Sequence, residues 1–221
     1  MNTNLTELVF ILDRSGSMGG LESDTIGGFN SMLSKQQAES GECRISTILF
    51  DNQYEVLHDR IDIKAVRQIT DKEYFVRGNT ALLDALGRTI NKISGVQKST
   101  AEEFRAGKVL FVITTDGLEN ASREFSYDMI KSLIERQKND YGWEFIFLGA
   151  NIDAVDVAGR FGVAGNRAQN FHNDSDGVAL NYAVMSKTIS AFRAAPTGAS
   201  FDDSWSAEIQ ADYKKRGGKR Q

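Results

Sequence analysis

Proline and cysteine each occur once in 221 residues. A lone Cys43 excludes an internal disulfide and suits a reducing compartment better than a secreted scaffold, so the expected location is the cytoplasm. Histidine is almost as scarce: His58 and His172 are neither spaced as a metal pair nor set beside an evident nucleophile. The glycines at 16, 19 and 20 spell neither GxxxxGK[ST] nor GxGxxG, which argues against a nucleotide cradle. On these absences the chain reads as a non-enzyme. Long apolar runs are missing too. The longest, Leu8 to Leu12 and Val109 to Ile113, are too short to cross a bilayer, and no basic-then-apolar leader precedes the first. The expectation is a soluble chain with no membrane partner, monomeric when alone.

What is present is ordinary for a globular protein. With 41% hydrophobic, 25% charged and 10% aromatic residues, wholesale disorder, a collagen-like repeat and a coiled-coil rod are excluded, and the length suffices for a sizeable core. The net charge of −4 is split unevenly. Lys214, Lys215, Arg216, Lys219 and Arg220 place +5 in the last eight residues, which leaves −4 − 5 = −9 on the rest. The basic end reads as a solvated tail.

Short β-branched and aromatic runs alternate with helix-spaced apolar positions, the pattern of βα units around a mostly parallel sheet. Glu7 to Asp13, Lys108 to Thr115 and Trp143 to Gly149 are nearly continuous in apolar residues, as expected of strands covered on both faces. Cys43 to Phe50, Asp51-Asn52 and Gln53 to Leu57 read as a hairpin that adds an antiparallel strand at the sheet edge. Ala168 to Phe171 reads as a short sixth strand, parallel to its neighbours. Helices are predicted from about Glu22, over Ala81 to Ser94, after a cap at Ser126, from about Asp153 to Phe161, and over Asp176 to Arg193. The domain is expected to span 1–195. The polar run 196–221, opened by Pro196, is expected as a loosely attached extension.

The first strand delivers Asp13-Arg14-Ser15-Gly16-Ser17. In an extended turn alternate residues project to one side, so one carboxylate and two hydroxyls can converge. Hard oxygens of this kind suit a hard divalent cation, Mg²⁺ above all. Gly78-Asn79-Thr80 precedes the second helix, and Asp116-Gly117 ends the strand Lys108 to Thr115. If that strand neighbours the first, Asp13, Ser15, Ser17, Thr80 and Asp116 meet in the crevice where crossovers diverge to opposite faces.

This constellation resembles the metal-ion-dependent adhesion site of the von Willebrand factor type A domain family. The resemblance rests on the DxSxS pattern at Asp13, Ser15 and Ser17, on Thr80, and on Thr115-Asp116-Gly117 ending a buried strand; it covers roughly residues 5 to 195. It implies a Rossmann-like three-layer α/β fold with one antiparallel edge strand. It further implies Mg²⁺, with Mn²⁺ or Ca²⁺ as substitutes, held directly by Ser15 and Ser17. Thr80 would be a direct or water-bridged ligand, and Asp13 and Asp116 would balance the charge. The implied function is capture of an aspartate or glutamate from a protein partner, as in the intracellular prokaryotic members that assemble multi-protein complexes. The family also couples its metal site to movement of the last helix.

Plainer readings stand beside this one. Asp13 and Asp116 are also acceptable helix caps, and Ser15 and Ser17 acceptable turn formers. Asp84 is read as supporting the site from behind or as part of a solvated face, Glu119 and Asn120 as rim residues, and Cys43 as a small buried hydrophobe. An alternative function is Mg²⁺-dependent phosphoester hydrolysis with Asp13 as nucleophile, against which Ser15 stands where such enzymes carry a general-acid aspartate. A third reading assigns contact with nucleic acid or an acidic partner to the basic tail.

Overall fold

Nine successive residues of the first strand, Leu5 to Asp13, are buried. Even-numbered Leu8, Phe10 and Leu12 belong to one core, and odd-numbered Leu5, Val9 and Ile11 to a second. A strand buried on both faces has no polar side to alternate with. The computed structural model, which describes residues 1–218, places this strand, β1 (Asn2–Asp13), inside a six-stranded sheet.

The other strands are β2 (Glu42–Phe50), β3 (Tyr54–Asp62), β4 (Ala106–Thr115), β5 (Glu144–Gly149) and β6 (Ala168–Asn170). Their order is β3-β2-β1-β4-β5-β6, parallel throughout except for β3, which runs antiparallel to β2 at one edge. The expected mixed sheet with one reversed edge strand is therefore the observed one. β3 extends five residues beyond the predicted run to reach Asp62, because His58, Asp59, Arg60 and Asp62 are exposed or half-buried polar side chains of an edge, which carry no apolar signal.

The helices are α1 (Glu22–Ala38), α2 (Leu82–Ser99), α3 (Tyr127–Tyr141), α4 (Ala154–Arg160), α5 (Ser175–Ala194) and α6 (Ala207–Lys215). α1, α5 and α6 cover the even face of β1 through Phe29, Leu33, Tyr182, Met185, Ile189 and Ile209. α2, α3 and α4 cover the odd face through Leu86, Ile90, Ile134 and Val157. Ser126 caps α3 as predicted, its hydroxyl accepting from Met129 N at 3.3 Å. α1 and α5 approach closely at Gly28, where a Cβ would stand 2.2 Å from the buried ring of Tyr182. Lys108, which opens the β4 segment read as apolar, is buried because its ammonium donates to the carbonyls of Phe192, Arg193 and Ala195, closing the C-terminus of α5.

The stretch after Ala194 corrects an expectation. It is docked rather than loosely attached. Trp205 and Ile209 are buried in the even-face core, and Trp205 Nε1 donates to the Asn166 carbonyl at 2.8 Å. Single apolar residues in a polar run give no periodicity, so their burial was not readable. Lys214, Lys215 and Arg216 end α6 and follow it; Lys219 and Arg220 lie outside the described residues. Trp205→Ala should cost about 3 kcal/mol in urea unfolding, where a solvated extension would show no change.

Candidate metal centre

β1 and β4 are neighbours, paired from Thr6↔Lys108 to Leu12↔Thr114. α1 leaves β1 toward one face and α2 lies on the other, so the crevice opens at the carboxyl ends of these two strands. Asp13 ends β1, and Asp116 follows β4 by one residue. Main-chain bonds set the loops between them. Gly16 N donates to Gly78 O at 3.1 Å, Arg77 N to Arg14 O at 2.9 Å, and Asn120 N to Thr80 O at 3.0 Å. Gly78 holds φ +66°, and a Cβ there would stand 2.0 Å from Asn52 Oδ1, so only glycine brings Thr80 to this position without strain.

All five predicted side chains meet. Ser15 is extended (φ −65°, ψ 166°), and its N–H donates to Asp13 Oδ1 at 2.7 Å. Thr80 Oγ1 donates to Ser15 Oγ at 3.1 Å, Ser15 Oγ and Ser17 Oγ are 3.1 Å apart, and Ser17 Oγ donates to Asp116 Oδ1 at 2.5 Å. The result is a continuous row of oxygens from Thr80 to Asp116. Asp13, Ser15, Thr80 and Asp116 are buried, while Ser17 is exposed and opens the row to solvent.

The donor set fits a small divalent cation on two counts. Octahedral ligands at about 2.0–2.1 Å from Mg²⁺ stand roughly 2.9 Å apart along an edge, close to the hydroxyl spacings of 3.1 Å. Two buried carboxylates also face one another here without a counter-charge, for among the described residues no lysine or arginine is within ion-pair distance of either. Burial raises the Asp13 carboxyl to about 6 despite hydrogen bonds from Thr115 and Ser15. It raises Asp116 as well. Among the described residues no three histidine, cysteine, aspartate or glutamate side chains cluster to hold a metal, so any resident ion depends on the hydroxyls.

Three residues read as secondary support the loops around the site. Asp84 does not touch the oxygen row; its carboxylate accepts from the backbone of Arg123, Glu124 and Phe125 at 2.9–3.0 Å and ties down the loop that follows Asp116. Asn120 is exposed beside Thr80, and Glu119 is half-buried. Asn120 Oδ1 accepts from Thr80 N at 2.9 Å, and Glu119 accepts from the N–H groups of Leu83, Ala121 and Ser122. His58 and His172 bond Thr47 and Tyr213, respectively.

Other supporting contacts escaped sequence reasoning, which had used Thr115 only as part of the Thr115-Asp116-Gly117 strand end. Thr115 Oγ1 donates to Asp13 Oδ2 at 2.5 Å, Tyr74 OH to Asp13 O at 2.7 Å, and Asn173 Nδ2 to Asp116 Oδ2 at 3.2 Å. Arg14, the variable position within the motif, is fully buried. It donates from Nε to Asp51 Oδ2 at 3.1 Å and from Nη2 to Glu55 Oε2 at 2.7 Å. Arg77 Nε shares Asp51 Oδ2 at 2.7 Å, and the ring of Phe75 lies 5.4 and 5.3 Å from the two guanidinium carbons. This cluster fastens the β2–β3 hairpin and the loop before Thr80 to the motif.

No family model matches the chain, and no curated protein does. Solved structures do. A mutant of the PilB minor pilin from Streptococcus sanguinis is 15% identical with a TM-score of 0.58, over 89% of this chain and 64% of its own. A von Willebrand factor type A protein from Catenulispora acidiphila is 12% identical with a TM-score of 0.55, over 83% of this chain and 42% of its own. The fold is that of a von Willebrand factor type A domain. Proximal thread matrix protein 1 of the mussel byssus, 13% identical with a TM-score of 0.53 over 84% of this chain and 46% of its own, was solved with a zinc-occupied MIDAS motif. This von Willebrand factor type A fold spans less than two thirds of each of these chains, and at such identities the likeness establishes architecture alone.

Proposed function

We propose that this chain is a metal-dependent protein-binding module whose site is Asp13, Ser15, Ser17, Thr80 and Asp116. The observation that carries the reading is the row of oxygens from Thr80 to Asp116, flanked by buried carboxylates that lack a counter-charge. Ser15 and Ser17 would hold Mg²⁺ directly, Thr80 directly or through water, and Asp13 and Asp116 would neutralise it; Mn²⁺ and Ca²⁺ are the expected substitutes. When bound, the ion supplies a Lewis acid that accepts an aspartate or glutamate carboxylate from the partner. The chain's own part is to keep the site electrophilic. Neutral hydroxyls donate little charge, and Asp13 is already engaged by Ser15 N and Thr115 Oγ1. The exposed Ser17 marks the side from which a partner would approach.

No helix among the described residues is long and apolar enough to cross a membrane. The single cysteine is buried and its thiol is pushed up to about 11. The cytoplasmic location that we propose rests on the single cysteine, which is free of any disulfide. The immobilised chain should retain its partner in Mg²⁺ and release it in EDTA, and Asp116→Ala should retain nothing in either buffer. Equal retention by Asp116→Ala would overturn the reading.

A further inference from the structure

The amino ends of β4 and β5, remote from Asp13 and Asp116, border a cavity of about 190 Å³. Its buried lining residues are Ser94, Ala106, Val109, Gln137 and Trp143, none of them charged. Arg105 also lines it, but spends its guanidinium on the carbonyls of Thr100 and Lys98 at 2.7 and 3.3 Å. Lys98 and Glu102 are exposed and of opposite sign. A charged ligand would therefore lose its water here without gaining a buried counter-charge, and a neutral one is favoured.

Two amides in the lining each keep one free atom. Gln97 Oε1 accepts from Ala106 N at 3.2 Å, which fixes the orientation of that amide and leaves Nε2 as a buried donor without a partner. Gln137 is 2% exposed; its Nε2 donates to Ser94 Oγ at 3.5 Å, and its Oε1 is a buried acceptor without a partner. Ser94 and Gln97, three residues apart, share one face of α2, so the two amides are neighbours across Ser94. Unpaired buried polar atoms are costly and rare, and here a donor and an acceptor are left open beside one cavity. Trp143 supplies a flat wall, its ring stacked on that of Phe111 with centroids 5.5 Å apart and planes 18° from parallel. Such a surface suits a planar ring. Gly107 and Tyr141 line both this cavity and another of about 510 Å³, which leaves room for a substituent on that ring.

We propose that this cavity is a small-molecule site for a neutral planar ring with an amide edge, a carbonyl beside an N–H, the class of pyrimidinones and lactams. The ligand's carbonyl accepts from Gln97 Nε2 and its N–H donates to Gln137 Oε1, so both open atoms are satisfied together. The site is separate from the metal centre, which lies at the carboxyl ends of the strands.

The test titrates uracil into the full chain in EDTA and follows the side-chain amide signals of Gln97 and Gln137 and the indole signal of Trp143 by nuclear magnetic resonance. All three should shift along one saturable curve, and benzoate, which is charged and has no N–H, should leave them in place. Gln97→Glu keeps an acceptor for Ala106 N but replaces the free donor, and should abolish the Trp143 response. Gln137→Leu should weaken uracil about tenfold at a urea midpoint no lower than that of the wild type, because it removes an unsatisfied acceptor. Signals unmoved by uracil in the wild type would show a cavity filled by water only and overturn the proposal. Undiminished uracil binding by both variants, or benzoate bound as tightly as uracil, would overturn it as well.

Discussion

Arg14→Ala is expected to destabilise the domain by about 3–5 kcal/mol, as breaking a fully buried ion pair does. Arg14 and Asp51 have no exposed side-chain surface, so no water replaces the lost bonds. The remaining ion-pair partner of Asp51, Arg77, is 38% exposed and cannot supply the same environment. Against a total stability of about 5–15 kcal/mol this is a large fraction, and a fall in melting temperature of about 10 °C follows. Arg77→Ala, which removes the more solvated cation, should cost roughly 1–2 kcal/mol. Calorimetric melting of the two variants checks the order. Equal and small losses would show that the cluster does not hold the hairpin to the motif.

Asp13→Asn should have the opposite sign without metal and remove the response to metal. The Asp13 carboxyl titrates at about 6 in the folded chain, against 3.8 as its ordinary value. Above both values the folded state carries a buried, uncompensated charge that costs about 3 kcal/mol. As pH falls through 6 the folded carboxyl takes up its proton first, so the penalty fades and is gone below 3.8. Metal-free wild type should therefore gain stability relative to Asp13→Asn between pH 7 and pH 4. The amide fits the space: its oxygen keeps the Ser15 N–H, and Thr115 Oγ1 can turn its proton to Gly117 O, 3.2 Å away. At pH 7.5 Asp13→Asn should resist urea better than metal-free wild type by up to about 3 kcal/mol and gain nothing from added Mg²⁺. A variant less stable than wild type at pH 7.5 would contradict this account of Asp13.

How much of this was readable in advance differs by element. β1, β4 and β5 announced themselves because strands covered on both faces are continuous in apolar residues. The five oxygen-bearing side chains could be read because three alternate within five residues and the other two follow a glycine turn or a buried strand. Arg14 was opaque: a charged residue is presumed solvated, and its burial depends on Asp51 and Glu55, 37 and 41 residues away. Asn173 lay beyond any local signal, 57 residues from Asp116. Trp205 and Ile209 sat in a polar run, where tertiary packing rather than periodicity decides burial. Local chemistry fixed the motif, and long-range pairing supplied its supports.

The central claim is that Asp13, Ser15, Ser17, Thr80 and Asp116 form one divalent-cation site. Isothermal titration of Mg²⁺ into the wild type, Ser17→Ala and Asp116→Ala at pH 7.5 tests it most directly. A single saturable site in the wild type that is lost in both variants, each still folded by circular dichroism, is the predicted result. Undiminished binding in both variants, or none in the wild type, would contradict it.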